Sequence, residues 1–237
     1  DVTLTLDSTG DHSFSGVIRD GSGGGALSLA LKFADTQTLT GINTFTGNID
    51  ISNSSKLLIG GAGQLGSGSY AGNITLNNNA DFEYASSADQ TLSGVISDDA
   101  GIGEMDVIMS GSGTLTLTGA NTYSGNTTIT AGTLQIGEAG DLNTGATNFY
   151  SGNISIASGA TFQYSSSASN TDARYDGAIS GDGTLIKDGS TSILRLQGTT
   201  SVANIEINQG TLRVQGNADA LGGAGTTVTI GASGSEN

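Results

Sequence analysis

The sequence predicts an all-β protein, a right-handed parallel β-helix (β-solenoid) of about ten coils, and three observations support this fold class. Leu, Ile and Val alternate with polar residues along most of the 237-residue chain, which is the period of a half-buried strand. Glycine occurs 39 times, mostly between the alternating runs, where turns are needed. Segments of the chain also recur at nearly constant spacings, which indicates a repeat architecture.

The recurring segments divide the chain into two long repeats and a third that has diverged. The segment Leu39–Asn48 has the same pattern as Leu117–Asn126. Ala80–Tyr84 returns as Ala160–Tyr164 after nearly the same interval. We therefore predict a single β-solenoid domain over residues 1–237, with internal repeats at 13–90, 91–173 and 174–237.

Each long repeat contains smaller units of two short strands joined by a polar turn. Ile74 and Leu76 followed by Phe82 and Tyr84 form one such unit, and the preceding unit starts at Ile49, one predicted coil earlier. Alternate residues share one face of a strand, so stacked copies bury a continuous core. At ~4.8 Å per coil, about ten coils make a rod on the order of 50 Å long.

One stretch carries a recognisable signature. Residues 111–137 read Gly-Ser-Gly-Thr-Leu-Thr-Leu-Thr-Gly-Ala-Asn-Thr-Tyr-Ser-Gly-Asn-Thr-Thr-Ile-Thr-Ala-Gly-Thr-Leu-Gln-Ile-Gly. This pattern resembles the passenger-associated transport repeat (autotransporter-associated β-strand repeat) of bacterial autotransporter passenger domains. Thr38–Gly60 is a second copy that has Asn53-Ser54-Ser55-Lys56 in place of the Ala-Gly-Thr turn. A third, weaker copy runs from Ile193 to Gly216.

The resemblance implies an extracellular location at the bacterial cell surface, either attached to the outer membrane or secreted. It implies export through an outer-membrane barrel carried by the precursor, and a repeat that supports secretion and the rod bearing adhesive regions. The chain begins at Asp1 and ends at Asn237 without a barrel pattern, so we expect a processed product or an excised fragment. The leading functional hypothesis is accordingly that the chain is a structural rod or stalk. We do not expect it to be an enzyme.

Two alternatives in other functional classes follow from the residues. Alternating strands at both ends can pair with another copy, which predicts end-to-end self-association into a filament. The proposed assembly edges are Val2, Leu4, Leu6, Val228 and Ile230. The other alternative is a face that binds a host or cell-surface glycan or protein receptor, for which Tyr70, Tyr123 and Tyr150 are the aromatic candidates.

Charge and composition exclude several kinds of chemistry. The net charge of −15 argues against a nucleic-acid partner, and the absence of cysteine excludes disulfides and thiol catalysis. The single histidine, His12, is expected to lie exposed in a turn, so no catalytic residue is assigned. No cofactor is expected, although calcium is possible because carboxylates in a glycine-containing loop suit that ion. The calcium candidates are Asp98, Asp99, Glu104 and Asp106.

Overall fold

A computed structural model shows an all-β solenoid in the parts of the chain that it describes. These parts are residues 2–98, 105–142, 149–167, 172–215, 221 and 225–231. Within them the only helical element is a 3₁₀ turn at Gly66–Gly68, and no helix has the length and apolar character needed to cross a membrane. The predicted division into three internal repeats stays a prediction.

The strands are short in most of the chain and longer in its C-terminal part. In chain order, β1 to β8 are Val2–Leu6, His12–Phe14, Leu27–Leu31, Thr36–Leu39, Ile49–Ile51, Lys56–Gly61, Ser69–Tyr70 and Ile74–Leu76. Next, β9 to β16 are Asp81–Ser86, Gln90–Leu92, Ile96–Asp98, Val107–Met109, Thr114–Leu117, Ala120–Asn121, Thr127–Ile129 and Thr133–Ile136. Finally, β17 to β24 are Asp141–Leu142, Phe149–Tyr150, Ile154–Ile156, Thr161–Tyr164, Asp172–Tyr175, Ile179–Leu196, Thr200–Val214 and Thr227–Ile230.

All the strand pairs are parallel, and they stack in ladders that define the faces of the solenoid. Face A contains β1, β3, β5, β8 and β11. Face B contains β2, β4, β6, β9, β12, β15 and β19, followed by the first segments of β22 and β23. Face C contains β7, β10, β13, β16 and β20, then the middle segments of β22 and β23, and β24.

The ladder on face B passes through nine strands, one for each coil, so the described chain forms about nine coils where the sequence predicted ten. Parallel stacking and the coil spacing are confirmed, since Ile49 pairs with Ile74 and Ile205 with Val228. The hand of winding stays a prediction.

Alternation along each strand separates the core from the surface. In β8 and β9 the inward residues Ile74, Leu76, Phe82 and Tyr84 are buried, while the residues between them are partly exposed. The same pattern recurs from β5 to β20, and the buried side chains form one continuous core. Each apolar side chain therefore packs against its counterparts in the coils before and after, which a single coil does not provide.

The long sequence repeat does not span a whole number of coils. Its equivalent residues Ile49 and Thr127 lie on different faces, because Ile49 pairs with Ile74 on face A and Thr127 pairs with Ile154 on face B. The coils after Ile49 pass through Ile74 and then Ile96 on face A, and the chain turns a corner once more before it reaches Thr127. Equivalent residues therefore sit one face further round the solenoid in the second repeat.

Glycines form two columns that run from coil to coil. The first column is Gly47, Gly72, Gly94 and Gly119, and the second is Gly125, Gly152, Gly177 and Gly198. A Cβ at any later member of a column would lie 2.0–2.3 Å from the carbonyl oxygen of the preceding member. Backbone of one coil thus crosses backbone of the next with no room for a side chain, which explains why glycine occupies these positions.

Replacing a column glycine is expected to destabilise the chain. In Gly152→Ala the new methyl would meet the Gly125 carbonyl oxygen at 2.0 Å, so the two coils must separate. Overpacking of this kind costs roughly 1–3 kcal/mol in the free energy of unfolding, measured by denaturant titration. Gly23→Ala is the matched control, since nothing lies within 4 Å of its Cβ position. Equal stability of the two variants would contradict the close-approach argument.

Candidate functional site

The segments Gly41–Gly47 and Gly119–Gly125 have the same sequence pattern, and each turns the backbone from one strand ladder into the next. We call them the repeat corners. They carry the predicted Gly-x-Asn-Thr-aromatic-x-Gly pattern. At the first glycine of each, a Cβ would lie 2.0 Å (Gly41, from Gly16) or 2.3 Å (Gly119, from Gly94) from a carbonyl oxygen of the preceding coil. Both corners therefore begin with a close backbone approach.

A buried asparagine in each corner links three successive coils. Asn121 is 1% exposed, and its Oδ1 accepts a hydrogen bond from the Ile96 N–H at 2.8 Å in the preceding coil. Its Nδ2 donates to the Gly119 carbonyl in its own coil at 2.9 Å and to the Asp141 carbonyl in the following coil at 3.3 Å. An amide side chain, with donors and an acceptor, can satisfy all three coils at once.

Asn43 repeats this arrangement in the first corner. Its Oδ1 accepts from Ile18 N–H at 3.0 Å, and its Nδ2 donates to the carbonyls of Gly41 at 2.9 Å and Gln64 at 3.3 Å. The two asparagines sit on different faces of the solenoid but make the same set of bonds. The two repeat corners thus have the same local structure, and the backbone groups that bond to each asparagine are equivalent.

The aromatic residue of each corner stacks on a tyrosine of the next coil. Phe45 and Tyr70 pack edge to face with centroids 5.6 Å apart at 68°, and Tyr123 and Tyr150 have the same distance and angle. The Tyr150 hydroxyl donates to the Gly125 carbonyl at 2.6 Å, and Tyr70 makes the equivalent bond to Gly47. The tyrosines predicted as possible exposed aromatics, Tyr70, Tyr123 and Tyr150, are all buried, so that expectation was wrong.

The two corners differ in polarity by a matched pair of residues. In the second corner the Thr127 hydroxyl lies 2.8 Å from the hydroxyls of both Tyr123 and Tyr150. The first corner has Phe45 and Ile49 at the places of Tyr123 and Thr127, with no hydroxyl at either. Burial holds the pKa values of the Tyr123 and Tyr150 phenols well above their ordinary range, so both stay neutral. At these two places the first corner therefore has apolar contacts, and the second has hydrogen bonds between hydroxyl groups.

An aspartate from the preceding coil caps each corner. Asp20 accepts hydrogen bonds from the Thr46 N–H at 3.1 Å and the Thr46 hydroxyl at 2.7 Å. Asp98 accepts hydrogen bonds from the Ser124 N–H and the Ser124 hydroxyl, both at 2.5 Å. The pKa of Asp20 is lowered, first by the hydrogen bond from Leu27 N–H and then by that from the Thr46 hydroxyl. These carboxylates complete the turn in the coil that follows them.

The predicted calcium candidates lie partly in this arrangement. Asp98 caps Ser124, and Asp106 accepts a hydrogen bond from Asn126 N–H at 2.7 Å. Asp99 and Glu104 lie outside the described residues, so the four candidates stay a prediction. Among the residues that the structure describes, no group of three or more histidine, cysteine, aspartate or glutamate side chains is arranged to hold a metal ion.

Two segments of the chain match the model of the Passenger-associated-transport-repeat, residues 34–53 and 107–136. The chain carries two passenger-associated transport repeats. Together they are less than half of the chain, and the corner pattern lies inside both. Comparison with curated proteins and with solved structures found no significant match. The third, weaker copy predicted at Ile193–Gly216 lies outside the matched segments, and its residues 193–196 and 200–214 belong to β22 and β23.

The departure of the first transport repeat from the pattern has a structural explanation. Gly132 of the second repeat has φ of 63°, a left-handed conformation that favours glycine. Ser54, at the equivalent place of the first repeat, adopts φ of 61°, and its neighbour Asn53 has φ of 59°. The turn therefore reaches the same backbone region in both repeats. Gly132 also has carbonyl oxygens of Gly111 and Gly113 2.4 Å from a Cβ position, a second reason for glycine there.

The predicted assembly edges lie on the outermost described strands. In β1, Val2 is 65% and Leu4 is 37% exposed, and in β24, Val228 is 41% and Ile230 is 76% exposed. Leu6 is partly buried against the core. Among the described residues β1 pairs only with β3, and β24 only with β23. Both strands thus have an edge open to any strand of matching register.

A buried lysine outside the transport repeats was missed by the sequence analysis. Lys187 is fully buried on face C, between Tyr164 and Ile207 in a ladder of otherwise aliphatic and tyrosine side chains. Its Nζ donates to the carbonyls of Gly189 at 2.5 Å and Gln209 at 3.2 Å, and lies 5.7 Å from the Tyr164 ring centroid. The alternating pattern did mark position 187 as inward, but a lysine there reads as a surface residue.

The stability of the chain is expected to rise with pH because of Lys187. Burial lowers the pKa of this ammonium to about 8, opposed by the nearby Asp188 carboxylate, while the unfolded chain keeps a value near 10.5. Between these two values the unfolded state binds more protons, so the free energy of unfolding increases with pH. We expect thermal unfolding of the wild type to show this rise from pH 8 to about 10, above which buried tyrosines reverse it.

Lys187→Met should remove the rise while keeping a side chain of similar length in the core. Lys32→Met is the control, since Lys32 is exposed and pairs with Asp50 at 3.4 Å. A wild-type profile that stays flat between pH 8 and 10, or a Lys187→Met profile with the same slope, would show that the lysine is not buried as described.

Proposed function

We propose that the chain is a rod segment of an autotransporter-type surface protein, and that its repeat corners help successive coils to fold during export. The observation that carries the proposal is the pair of corner asparagines, each of which joins three consecutive coils. The transport-repeat match fits a passenger placed on the cell surface or secreted, and linked to an outer-membrane barrel of the precursor. A role in adhesion would belong to what the rod carries.

The physics of a solenoid supports this role. A coil that folds on an existing edge gains backbone hydrogen bonds and apolar contacts at once, whereas an isolated coil gains few. The corner asparagine bonds to the coils on both sides of its own, since Asn121 accepts from Ile96 N–H through Oδ1 and donates to the Asp141 carbonyl through Nδ2. Whichever neighbouring coil folds second therefore meets a polar group that is ready to pair with it. Each corner thus favours addition of the next coil, and stepwise folding outside a pore would oppose backward sliding of the chain.

The role requires no catalysis, and we infer that the chain is not an enzyme. His12, the only histidine of the sequence, is exposed, and its Nε2 lies 3.3 Å from the Thr9 carbonyl oxygen. It lies at the start of β2, not in a turn as expected. The described part of the chain offers no nucleophile hydrogen-bonded to a histidine base.

Secretion of a fusion tests the proposed role. The chain is joined to an outer-membrane translocator barrel, and the protease-accessible fraction on intact cells is measured. Asn43→Ala with Asn121→Ala leaves buried N–H and C=O groups unpaired at both corners, at about 1–3 kcal/mol per corner. We expect the displayed fraction to fall several-fold. Asn204→Ala, an exposed strand asparagine, is the control. Display that is unchanged, despite lower stability of the purified double variant, would contradict the proposal.

End-to-end assembly is a second candidate, favoured by the exposed apolar edges of β1 and β24. These edges accept a further coil of a longer chain as readily as a second copy. If copies assemble, negative-stain electron microscopy of the purified chain will show fibres at high concentration, and Leu4→Lys with Ile230→Lys will leave single rods. A nine-coil rod is about 40–50 Å long. Rods of this length at every wild-type concentration would eliminate the candidate.

A receptor-binding or glycan-binding face remains the third candidate, and its aromatic basis is weak. All six tyrosines are buried, and the most exposed aromatic residues among those described are Phe14 and Phe33. Any recognition of a glycan by the described surface must therefore depend mainly on polar or charged groups.

A further inference from the structure

Three arginines stand in one row on consecutive coils. Arg174 of β21 pairs in register with Arg195 of β22, and Arg195 pairs with Arg213 of β23. Their side chains point outward, because the intervening residues face the core. Strands stack ~4.8 Å apart, so the three Cα atoms span about 10 Å along the axis. Phe149 precedes them in the row, and Arg174 lies over its ring at 4.9 Å.

This arginine row is a local exception to the charge of the chain. The sequence has 7 basic and 22 acidic residues, and three of its four arginines are in the row. Elsewhere the described lysines are dispersed: Lys32 and Lys56 pair with acidic neighbours, and Lys187 is buried. A row of like charges at this spacing is unfavourable by itself, so it requires compensation or a function.

Two aspartates compensate the row incompletely. Arg174 forms a bidentate pair with Asp176, with Nε and Nη2 at 2.7 and 2.6 Å from the carboxylate oxygens. Arg195 and Arg213 share the single carboxylate of Asp172. Arg195 contacts both of its oxygens, through Nε with Oδ1 at 3.0 Å and through Nη2 with Oδ2, and Arg213 contacts Oδ2 through Nη1 at 3.1 Å. Three guanidinium groups therefore face two carboxylates. The Arg213 side chain is 45% exposed and has one such contact, so its other donors face solvent.

The outward residues beside the row are neutral on the later coils. Asp172 is followed in its own row by Ile193 and Thr211, and Gln197 and Gln215 come shortly after Arg195 and Arg213 along their strands. The excess positive charge is thus concentrated at Arg195 and Arg213, next to amide and hydroxyl side chains. These groups suit hydroxyl-rich ligands that also carry an anion.

We propose that the arginine row binds carboxylate groups of an acidic polysaccharide that lies along the axis of the rod. Guanidinium presents paired donors in a plane that match a carboxylate, and an incoming carboxylate would relieve the sharing of Asp172. A short anionic oligosaccharide contacts only the row, whereas a long polyanion such as nucleic acid would also meet the acidic remainder of the surface. The proposal deepens the third candidate function and does not depend on the secretion role.

Calorimetric titration of the purified chain tests the proposal. The probe is oligomeric polygalacturonate, and its methyl-esterified form provides the same sugar without the charge. We expect the carboxylated form to bind at least tenfold more tightly than the methyl-esterified form. Its affinity should decrease as salt is added. Arg213→Gln should reduce the affinity about tenfold. Arg213→Lys should reduce it too, because the charge is kept but the paired donors are lost.

Lys32→Gln removes the same charge from another exposed site and should leave binding unchanged. Circular dichroism confirms that each variant is folded, and Arg195→Gln provides an independent variant of the same row. The proposal is overturned by equal affinity for the esterified probe, by no binding, or by an equal effect of Lys32→Gln. Dextran sulfate or single-stranded DNA binding as tightly as polygalacturonate would also overturn it, since charge alone would then explain the affinity.

Discussion

At the glycine columns, the backbone of one coil passes so close to the carbonyl oxygen of the coil before it that no side chain fits between them. The parallel strand pairs need this close approach at the turns, and glycine permits it from Gly47 to Gly198. It also makes room for the tyrosine hydroxyls: a Cβ at Gly152 would lie 2.5 Å from the Tyr150 hydroxyl, which donates to the Gly125 carbonyl. Backbone spacing, aromatic stacking and the buried hydroxyls therefore depend on the same positions.

The glycine columns limit the distance between coils, and the corner asparagines also fix the register of one coil against the next. A close backbone contact can tolerate a small slide of one coil against the next, but a buried amide with three fixed partners cannot. Asn43 and Asn121 do this on two different faces, since the long repeat advances by one face beyond whole coils. Buried hydrogen bonds therefore fix the register of the coils on two faces of the solenoid. This supports the proposal that the transport repeats organise folding.

The C-terminal coils are built differently. Beyond the second transport repeat, the face C ladder includes the buried Lys187, and the β22–β23 pairing has register shifts on both sides of this region. The Ser192 and Thr200 hydroxyls and the Tyr175 hydroxyl are buried without a hydrogen-bond partner among the described residues. On the surface of these coils, the row that begins with Phe149 continues with three arginines. These coils therefore contain more buried polar groups that lower stability than the coils of the transport repeats, and their surface carries a cluster of cationic side chains.

Much of the fold could be predicted from the sequence, because period-2 alternation and the long repeat report directly on strands and stacking. The stacking of Ile49 on Ile74 was predicted from their spacing alone and is confirmed. The roles of Asn43 and Asn121 could not be predicted, since an asparagine between turn residues has the same appearance whether it is buried or exposed. The arginine row was also missed, because its members are far apart in the sequence and meet only once the coils are in register.

Native-state hydrogen exchange of single amides tests most directly whether the glycine columns and corners hold the coils together. The account predicts the slowest exchange at Ile74, Ile96, Thr127 and Ile154, which follow column glycines or bond to a corner asparagine. Faster exchange is expected in the β22 and β23 coils around Lys187. Uniform protection along the solenoid, or stronger protection in the coils around Lys187 than beside the columns, would contradict the central claim.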